Sequence, residues 1–423
     1  MAKSVLPDLS PEQNTAFELL LSGENAFITG GAGSGKSFLI RHYLRGIDSK
    51  QTPILASTGA AAVLLGGRTF HSFFGLGIME GGAQAALEKG RKDGRLMKRL
   101  SSVEGVIIDE ISMIPRPAFE VAEALARQAR GNQHPWGGMR MVLVGDFAQL
   151  PPVTRSGTAR EWSFLSDIWQ QSGFQTCLLN HNQRVTEDSD FLEVLADVRA
   201  GTVTQRVRNF LESRSREHDE DDKSTRLFPR RDQSEYFNQR ELLQISKPEV
   251  RIPSIYLGEA RAVEILKKSA PIPAELVLKE GARVMFLQND TQKRWINGTR
   301  GTVVEVHPEK IVVQKETGRE VQVEKSQFVM QDADGKIVAS VINFPLNLAY
   351  ATTIHKSQGC TLDDLWVDLS RLWEPGQAYV ALSRLRSGKG LRLLGWSPSS
   401  FITDPQVTKF YTSLSSSSGI GLN

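Results

Sequence analysis

Eight consecutive residues, Gly30-Gly31-Ala32-Gly33-Ser34-Gly35-Lys36-Ser37, carry the densest chemistry in the chain. The spacing G-x-x-x-x-G-K-S is that of a phosphate-binding loop. Glycines let the backbone turn tightly and aim its N–H groups at an anion. A helix starting where the loop ends adds its positive pole. Gly31, Ala32, Gly33, Ser34 and Gly35 are therefore expected to wrap the phosphates of ATP. Lys36 is placed to reach the outer phosphates, and Ser37 to hold Mg2+. The apolar run 26–29 precedes the loop and the amphipathic stretch 38–44 follows it, which is the strand–loop–helix order this motif requires.

Two further segments suit ATP hydrolysis. Val106-Ile107-Ile108-Asp109-Glu110 is an apolar strand ending in two acids. At the carboxyl edge of a sheet, Asp109 would hold Mg2+ through water and Glu110 would polarise the attacking water. Adjacent acids favour hydrolysis over transfer to a small-molecule hydroxyl. Gln149, in Val144-Gly145-Asp146-Phe147-Ala148-Gln149, is placed after another strand and would sense the γ-phosphate. Arg184 and Arg384 lie beyond this first domain, where an arginine that neutralises transition-state charge is expected.

Two clusters suit a phosphodiester backbone. Thr353, His355 and Lys356 fall in a run of hydroxyl, imidazole and ammonium groups. Thr58 and Gly59 fall in a second run, followed by His71 and Phe73. Their rings could stack on unpaired bases, with core packing under a loop as the competing reading.

The elements that must position these groups follow from hydrophobic patterning. Apolar runs 26–29, 53–57, 105–109 and 139–145 read as buried parallel strands, with a helix over 117–130 between the last two. Residues 212–226 are mostly charged or hydroxylic and read as a solvated loop, ending in a short strand over 225–229. A helix over 232–243 comes next. From 281 to 344, short strand-like runs separated by Asn297-Gly298, Thr317-Gly318 and Asp334-Gly335 signal a small β-barrel. Ser415–Ser418 reads as an irregular tail.

Bulk properties bound the rest. The chain has 423 residues and a net charge of +3, too small to argue nucleic-acid binding from bulk charge. Two cysteines fit neither a disulfide framework nor a metal site, and the scattered histidines lack ligand spacing. No targeting signal or membrane-spanning run is seen, so a cytoplasmic protein is expected.

Taken in order, these segments resemble the motif set of superfamily-one helicases, over nearly the whole chain. Leu9-Ser10-Pro11-Glu12-Gln13 resembles the motif whose glutamine reads adenine, which implies that role for Gln13. The stretch from Asp109 to Pro152, including Pro135-Trp136-Gly137-Gly138, narrows the resemblance to the Pif-type (petite integration frequency) helicases. Gly281-Ala282-Arg283-Val284-Met285 and Asn297-Gly298-Thr299-Arg300-Gly301 resemble that family's inserted SH3-like barrel. The resemblance implies an α/β fold with two RecA-like motor domains, ATP in the cleft between them, and single-stranded DNA held across both. Its expected boundaries are 1–177, with a small wedge-like insertion at about 66–100; 178–244 with 345–423; and an inserted domain at 245–344. Gly359 is implied at the nucleotide, and Pro152 and Asn289 at the DNA. Also implied are 5′-to-3′ movement, unwinding of forked DNA, G-quadruplexes and RNA–DNA hybrids, and a role in replication, repair, recombination or telomere maintenance. A monomer in solution that can dimerise on DNA, and a nucleoid-associated bacterial motor core, are expected. One departure is Leu227-Phe228-Pro229 followed by Arg230-Arg231 where the family often has threonine. A translocase acting on RNA or bound proteins, an ATP-switched DNA-binding module and a metabolic P-loop kinase are the competing readings.

Overall fold

A computed structural model describes residues 9–417, apart from 66, 78, 80, 153–159, 216–223 and 291. Most of the charged run and the end of the serine run thus lie outside the described residues. The chain folds as two compact units. One takes the residues up to Gln183 together with 331–336 and those from Thr403 onward; the other takes 184–330 and 337–402.

The first unit is built on six strands: β1 (Ala26–Gly30), β2 (Ile54–Ala56), β3 (Arg68–Thr69), β4 (Gly105–Asp109), β5 (Arg140–Gly145) and β6 (Gln175–Leu179). Their order is β3-β2-β4-β5-β1-β6, and every neighbouring pair is parallel. Alternation along each central strand feeds two cores. Ala26, Ile28, Ile107, Val142 and Val144 face helices Pro11–Leu21 and Lys36–Tyr43 through Ala16, Leu20, Leu39 and Tyr43. Phe27, Val106, Ile108, Met141 and Leu143 join a larger core with Phe119, Trp136, Phe147 and Trp162. Burial on both faces is why these strands read as unbroken apolar runs. Because all six run parallel, their carboxyl ends share one edge, and the chain leaves that edge at Gly30, Asp109 and Gly145.

Within the wedge-like insertion expected at about 66–100, two helices pack against this core. Helices Gly82–Arg91 and Gly94–Ser102 pack on helix Arg116–Arg130, with Leu96, Leu100 and Leu125 fully buried. A Cβ at Gly90 would come within 2.7 Å of the Leu125 side chain, so a larger residue there would push that side chain aside.

The end of the chain also departs from the sequence reading. Residues Pro405–Ser417 form a helix, including most of the serine run, and belong to the first unit. Val407, Phe410, Tyr411 and Leu414, at helical spacing, join the larger core of that unit.

The second unit holds a parallel sheet in the order Ala351–Thr353, Thr225–Phe228, Leu365–Leu369, Leu391–Trp396. Between its first two strands in sequence lies a five-stranded antiparallel sheet, ordered Glu320–Val323, Lys310–Lys315, Arg300–His307, Arg283–Phe286, Leu346–Leu348. Val284, Phe286, Trp295, Val303, Ile311 and Val313 fill its core. Its turns use Gly298 and Gly318 at φ +91° and +84°, which glycine adopts without strain. Among the described residues no helix is long and apolar enough to cross a membrane.

Candidate nucleotide and nucleic-acid sites

The loop after β1 has the geometry of a phosphate cradle. Gly30, Gly33 and Gly35 hold φ of +148°, +86° and +86°. Helix Lys36–Tyr43 starts at Gly35 with no side chain capping it, so its positive pole faces the loop without a side-chain acceptor. The Ser34 hydroxyl is buried with no hydrogen-bond partner among the described residues. Lys36 Nζ donates to the Gly30 and Gly31 carbonyls at 2.7 and 3.0 Å, inside the same loop. An orphaned hydroxyl, a helix start without a side-chain cap and a folded-in lysine together fit a polyphosphate.

Asp109 ends β4, and its carboxylate accepts the Glu110 N–H at 3.0 Å. Burial pushes the Asp109 carboxyl above its usual range, against that hydrogen bond and the charges of Lys36 and Arg41. A divalent cation would relieve the same burial cost, so Asp109 and Ser37 fit Mg2+. Glu110 sits at φ +54°, a left-handed conformation that costs a non-glycine residue on the order of 1 kcal/mol. That kink turns the chain off the sheet edge into the short turn Ile111–Met113.

Gln149 is 4% exposed, and its amide donates to Asp146 at 3.4 Å. Asp146 is fully buried and also accepts the Ala148 N–H at 3.1 Å. Gln13 is equally buried. It closes a reciprocal cap with Ser10 at the start of helix Pro11–Leu21, and its amide donates toward the Gly35 carbonyl at 3.5 Å.

The sequence did not single out the segment 180–183, which braces the loop. Glu12 accepts the N–H groups of Asn180 and His181 at 2.9 Å each. Asn182 donates to the Ala32 carbonyl at 3.0 Å, and the Gln183 N–H to that of Gly33 at 2.8 Å. The loop backbone and the start of helix Pro11–Leu21 are thereby tied to the exit of β6.

In the second unit, Arg384 is buried and Arg184 is half-buried. Arg184 donates to the Thr361 hydroxyl at 3.0 Å and to the Ser383 carbonyl, and Arg384 to the Val380 carbonyl at 2.8 Å. Burial, then the nearby Arg384, pushes the Arg184 guanidinium down to about 9. Two neighbouring cations held out of water attract an anion. Gly359 is exposed at φ +80°.

The DNA candidates divide. Thr353 is buried and its hydroxyl accepts the Lys356 N–H at 3.1 Å, setting the turn that carries exposed His355 and Lys356. His355 lies 3.4 Å from Glu374. Beside it in sequence, exposed Trp373 has the Arg230 guanidinium 5.4 Å from its ring centre, an aromatic–cation pair the sequence reading missed. In the first unit, the Thr58 hydroxyl accepts the Ala61 N–H and caps the helix that begins at Gly59. His71 is partly exposed, and burial lowers its pKa. Phe73, by contrast, is fully buried, with Arg68 and Arg99 each 5.6 Å from its ring. It is core, not a base-stacking surface. Pro152 is buried, and Asn289 is exposed with its side chain accepting the Asn297 N–H at 2.8 Å.

A parallel sheet whose carboxyl edge carries a phosphate cradle, an acid pair and a buried glutamine defines a P-loop NTPase. Residues 8–209 match the model of the PIF1-like helicase family, and 263–306 match the DNA helicase Pif1 2B domain. The chain is 66% identical over 404 residues to the ATP-dependent DNA helicase Pif1 of Bdellovibrio bacteriovorus, covering 96% of this chain and 92% of that protein. It is 37% identical to the Danio rerio ATP-dependent DNA helicase PIF1 over 97% of its own length, spanning 64% of that longer relative. A Bacteroides Pif1 structure in complex with ADP-AlF4 matches with a TM-score of 0.84 at 28% identity, covering 98% of both chains. The structure of Bacteroides Pif1 bound to single-stranded DNA matches with a TM-score of 0.65 at 28% identity, covering 97% of this chain and 98% of that one. The chain belongs to the PIF1-like helicase family, and its fold comprises two RecA-like motor domains and a 2B domain.

Proposed function

We propose that this chain is an ATP-dependent DNA helicase that translocates 5′-to-3′ on single-stranded DNA and opens forked duplexes. The observation that carries this reading is the sheet edge where the loop 30–37, Asp109-Glu110 and Gln149 leave neighbouring strands β1, β4 and β5. The loop amides, the Ser34 hydroxyl and Lys36 bind the phosphates, with Lys36 exchanging its loop carbonyls for phosphate oxygens. Ser37 and Asp109 hold Mg2+, which neutralises phosphate charge when bound. Glu110 takes the proton of the attacking water. Gln149 senses the γ-phosphate, and Arg184 and Arg384 stabilise the charge that develops as it leaves. Thr58, Gly59, His71, Pro152, Asn289, Thr353, His355 and Lys356 contact the DNA strand, mainly through its phosphates, making binding tolerant of sequence and sensitive to salt. G-quadruplexes and RNA–DNA hybrids are further substrates, and the protein acts in the cytoplasm at the nucleoid.

The test compares unwinding of DNA and RNA duplexes with 5′ or 3′ single-stranded tails, using the wild-type protein and Glu110→Gln. The expected result is ATP-dependent opening of 5′-tailed DNA. Glu110→Gln should turn over roughly 10²–10⁴-fold more slowly while still binding an ATP analogue. A 3′ preference sinks the polarity, and normal unwinding by Glu110→Gln sinks the mechanism.

A further inference from the structure

The hydroxyl of Tyr411, on the C-terminal helix, lies among groups that leave the carboxyl edge of the first-unit sheet. It lies 2.8 Å from the Thr29 hydroxyl, 3.1 Å from Asp146 Oδ1 and 3.0 Å from the Phe147 backbone nitrogen. A carboxylate only accepts, which orders the protons of this group. A tyrosine hydroxyl has one proton and two acceptor sites. The proton goes to the Asp146 carboxylate, so the Phe147 N–H and the Thr29 hydroxyl donate to the tyrosine oxygen.

Each partner bears on the nucleotide site. Thr29 is the β1 residue directly before Gly30, where the phosphate loop begins. Asp146 and Phe147 form the turn by which β5 leaves the edge toward Gln149, and Thr29 and Gly145 sit side by side in the β1–β5 ladder. Asp146 is the hinge of the arrangement: one oxygen takes the Tyr411 proton beside the Ala148 N–H, and the other takes the Gln149 amide. The helix that presents Tyr411 is firmly held. The Phe410 ring stacks on Phe164 at 4.3 Å, and Asp404 accepts the Trp162 indole N–H at 3.0 Å.

We propose that Tyr411 is a positioning residue for ATP hydrolysis: its hydroxyl orients the Asp146 carboxylate, and through it sets the Gln149 amide against the phosphate loop. The proposal rests on the ATPase reading above. Partners that orient metal ligands carry roughly a 10–100-fold effect on activity because they fix the group in front, and Tyr411 stands in the same relation to Asp146 and Gln149.

The test is Tyr411→Phe in the full chain, read as DNA-stimulated ATP turnover. That variant keeps the ring and its packing and removes only the hydroxyl. The expected result is a kcat lowered roughly tenfold or more, with KM for ATP and the Kd for oligo-dT unchanged. In a Gln149→Ala background the same substitution should have no further effect, since the route through Gln149 is already cut. Phe410→Leu serves as the packing control, with a lowered Tm and a kcat near wild type. An unchanged kcat in Tyr411→Phe overturns the proposal. So does a loss that adds in full to that of Gln149→Ala, or an equal loss of kcat in Phe410→Leu. Absence of turnover in the wild-type protein would instead refute the ATPase reading itself.

Discussion

Replacing Gly30 by alanine tests whether the phosphate loop depends on backbone that only glycine can adopt. Two costs are foreseen. At φ +148° the residue lies where side chains are essentially excluded, worth about 1–3 kcal/mol. An added Cβ would also lie 2.3 Å from the Leu179 carbonyl oxygen, on the strand paired with Gly30, and 2.9 Å from Ser34 Oγ. The hydroxyl can rotate away, but the carbonyl is backbone and moves only if β1 and β6 separate. Overpacking of that kind costs about 1–3 kcal/mol more, for a total on the order of 4 kcal/mol. The matched control is Gly23→Ala, at φ +86° with nothing within 4 Å, where only the left-handed penalty of roughly 1–2 kcal/mol applies. At roughly 2–4 °C per kcal/mol for a unit of this size, Gly30→Ala should melt on the order of 10 °C lower and Gly23→Ala only a few degrees. Thermal unfolding followed by titration with a non-hydrolysable ATP analogue reads both effects. A Gly30→Ala protein that melts with Gly23→Ala and binds the analogue normally would refute the reasoning.

Phe73→Ala should destabilise the first unit by about 3–5 kcal/mol while leaving the affinity of the folded protein for oligo-dT unchanged, measured by denaturation and fluorescence anisotropy. A large loss of DNA affinity in well-folded Phe73→Ala would restore the stacking role. Asp290, held by the Arg294 guanidinium down to about 2, is an acid whose folded pKa is depressed. Its contribution to stability is therefore present above about pH 4 and is lost as pH falls toward 2. Asp290→Asn should flatten that part of an acid-unfolding profile, and an unchanged profile would contradict the ion pair's role.

The nucleotide half of the site was legible because its signals are local. Loop glycines, a lysine and terminal acids act within a few residues of each other, and the strands that aim them are long apolar runs. The strand at Gly105–Asp109 and the helix around 117–130 were readable for the same reason. What escaped depends on distant partners. Phe73 and His71 are two residues apart in one aromatic stretch, and only packing beneath Arg68 and Arg99 makes one of them core. The strand Gln175–Leu179 begins with exposed polar residues, so its pattern lacks the unbroken burial of its neighbours. Tyr411 acts on residues more than 260 positions upstream, and nothing in a serine-rich ending announces it. Asn182 and Glu12, which brace the loop, are ordinary polar residues until the fold brings them to it.

The return of the C-terminal helix to the first unit has a consequence for biosynthesis. Phe27, Phe147, Phe164 and Trp169 emerge early from the ribosome, yet the ring that completes their cluster, Phe410, comes after the whole of the second unit. At ~5–20 residues per second, the two hundred or so intervening residues take roughly 10–40 s to make. Through that interval the motor unit that carries the phosphate loop has an unsealed aromatic face and no Tyr411 hydroxyl beside Asp146. Nascent chains are therefore most exposed to misassociation in this window, and the ATPase half matures last although it is synthesised first.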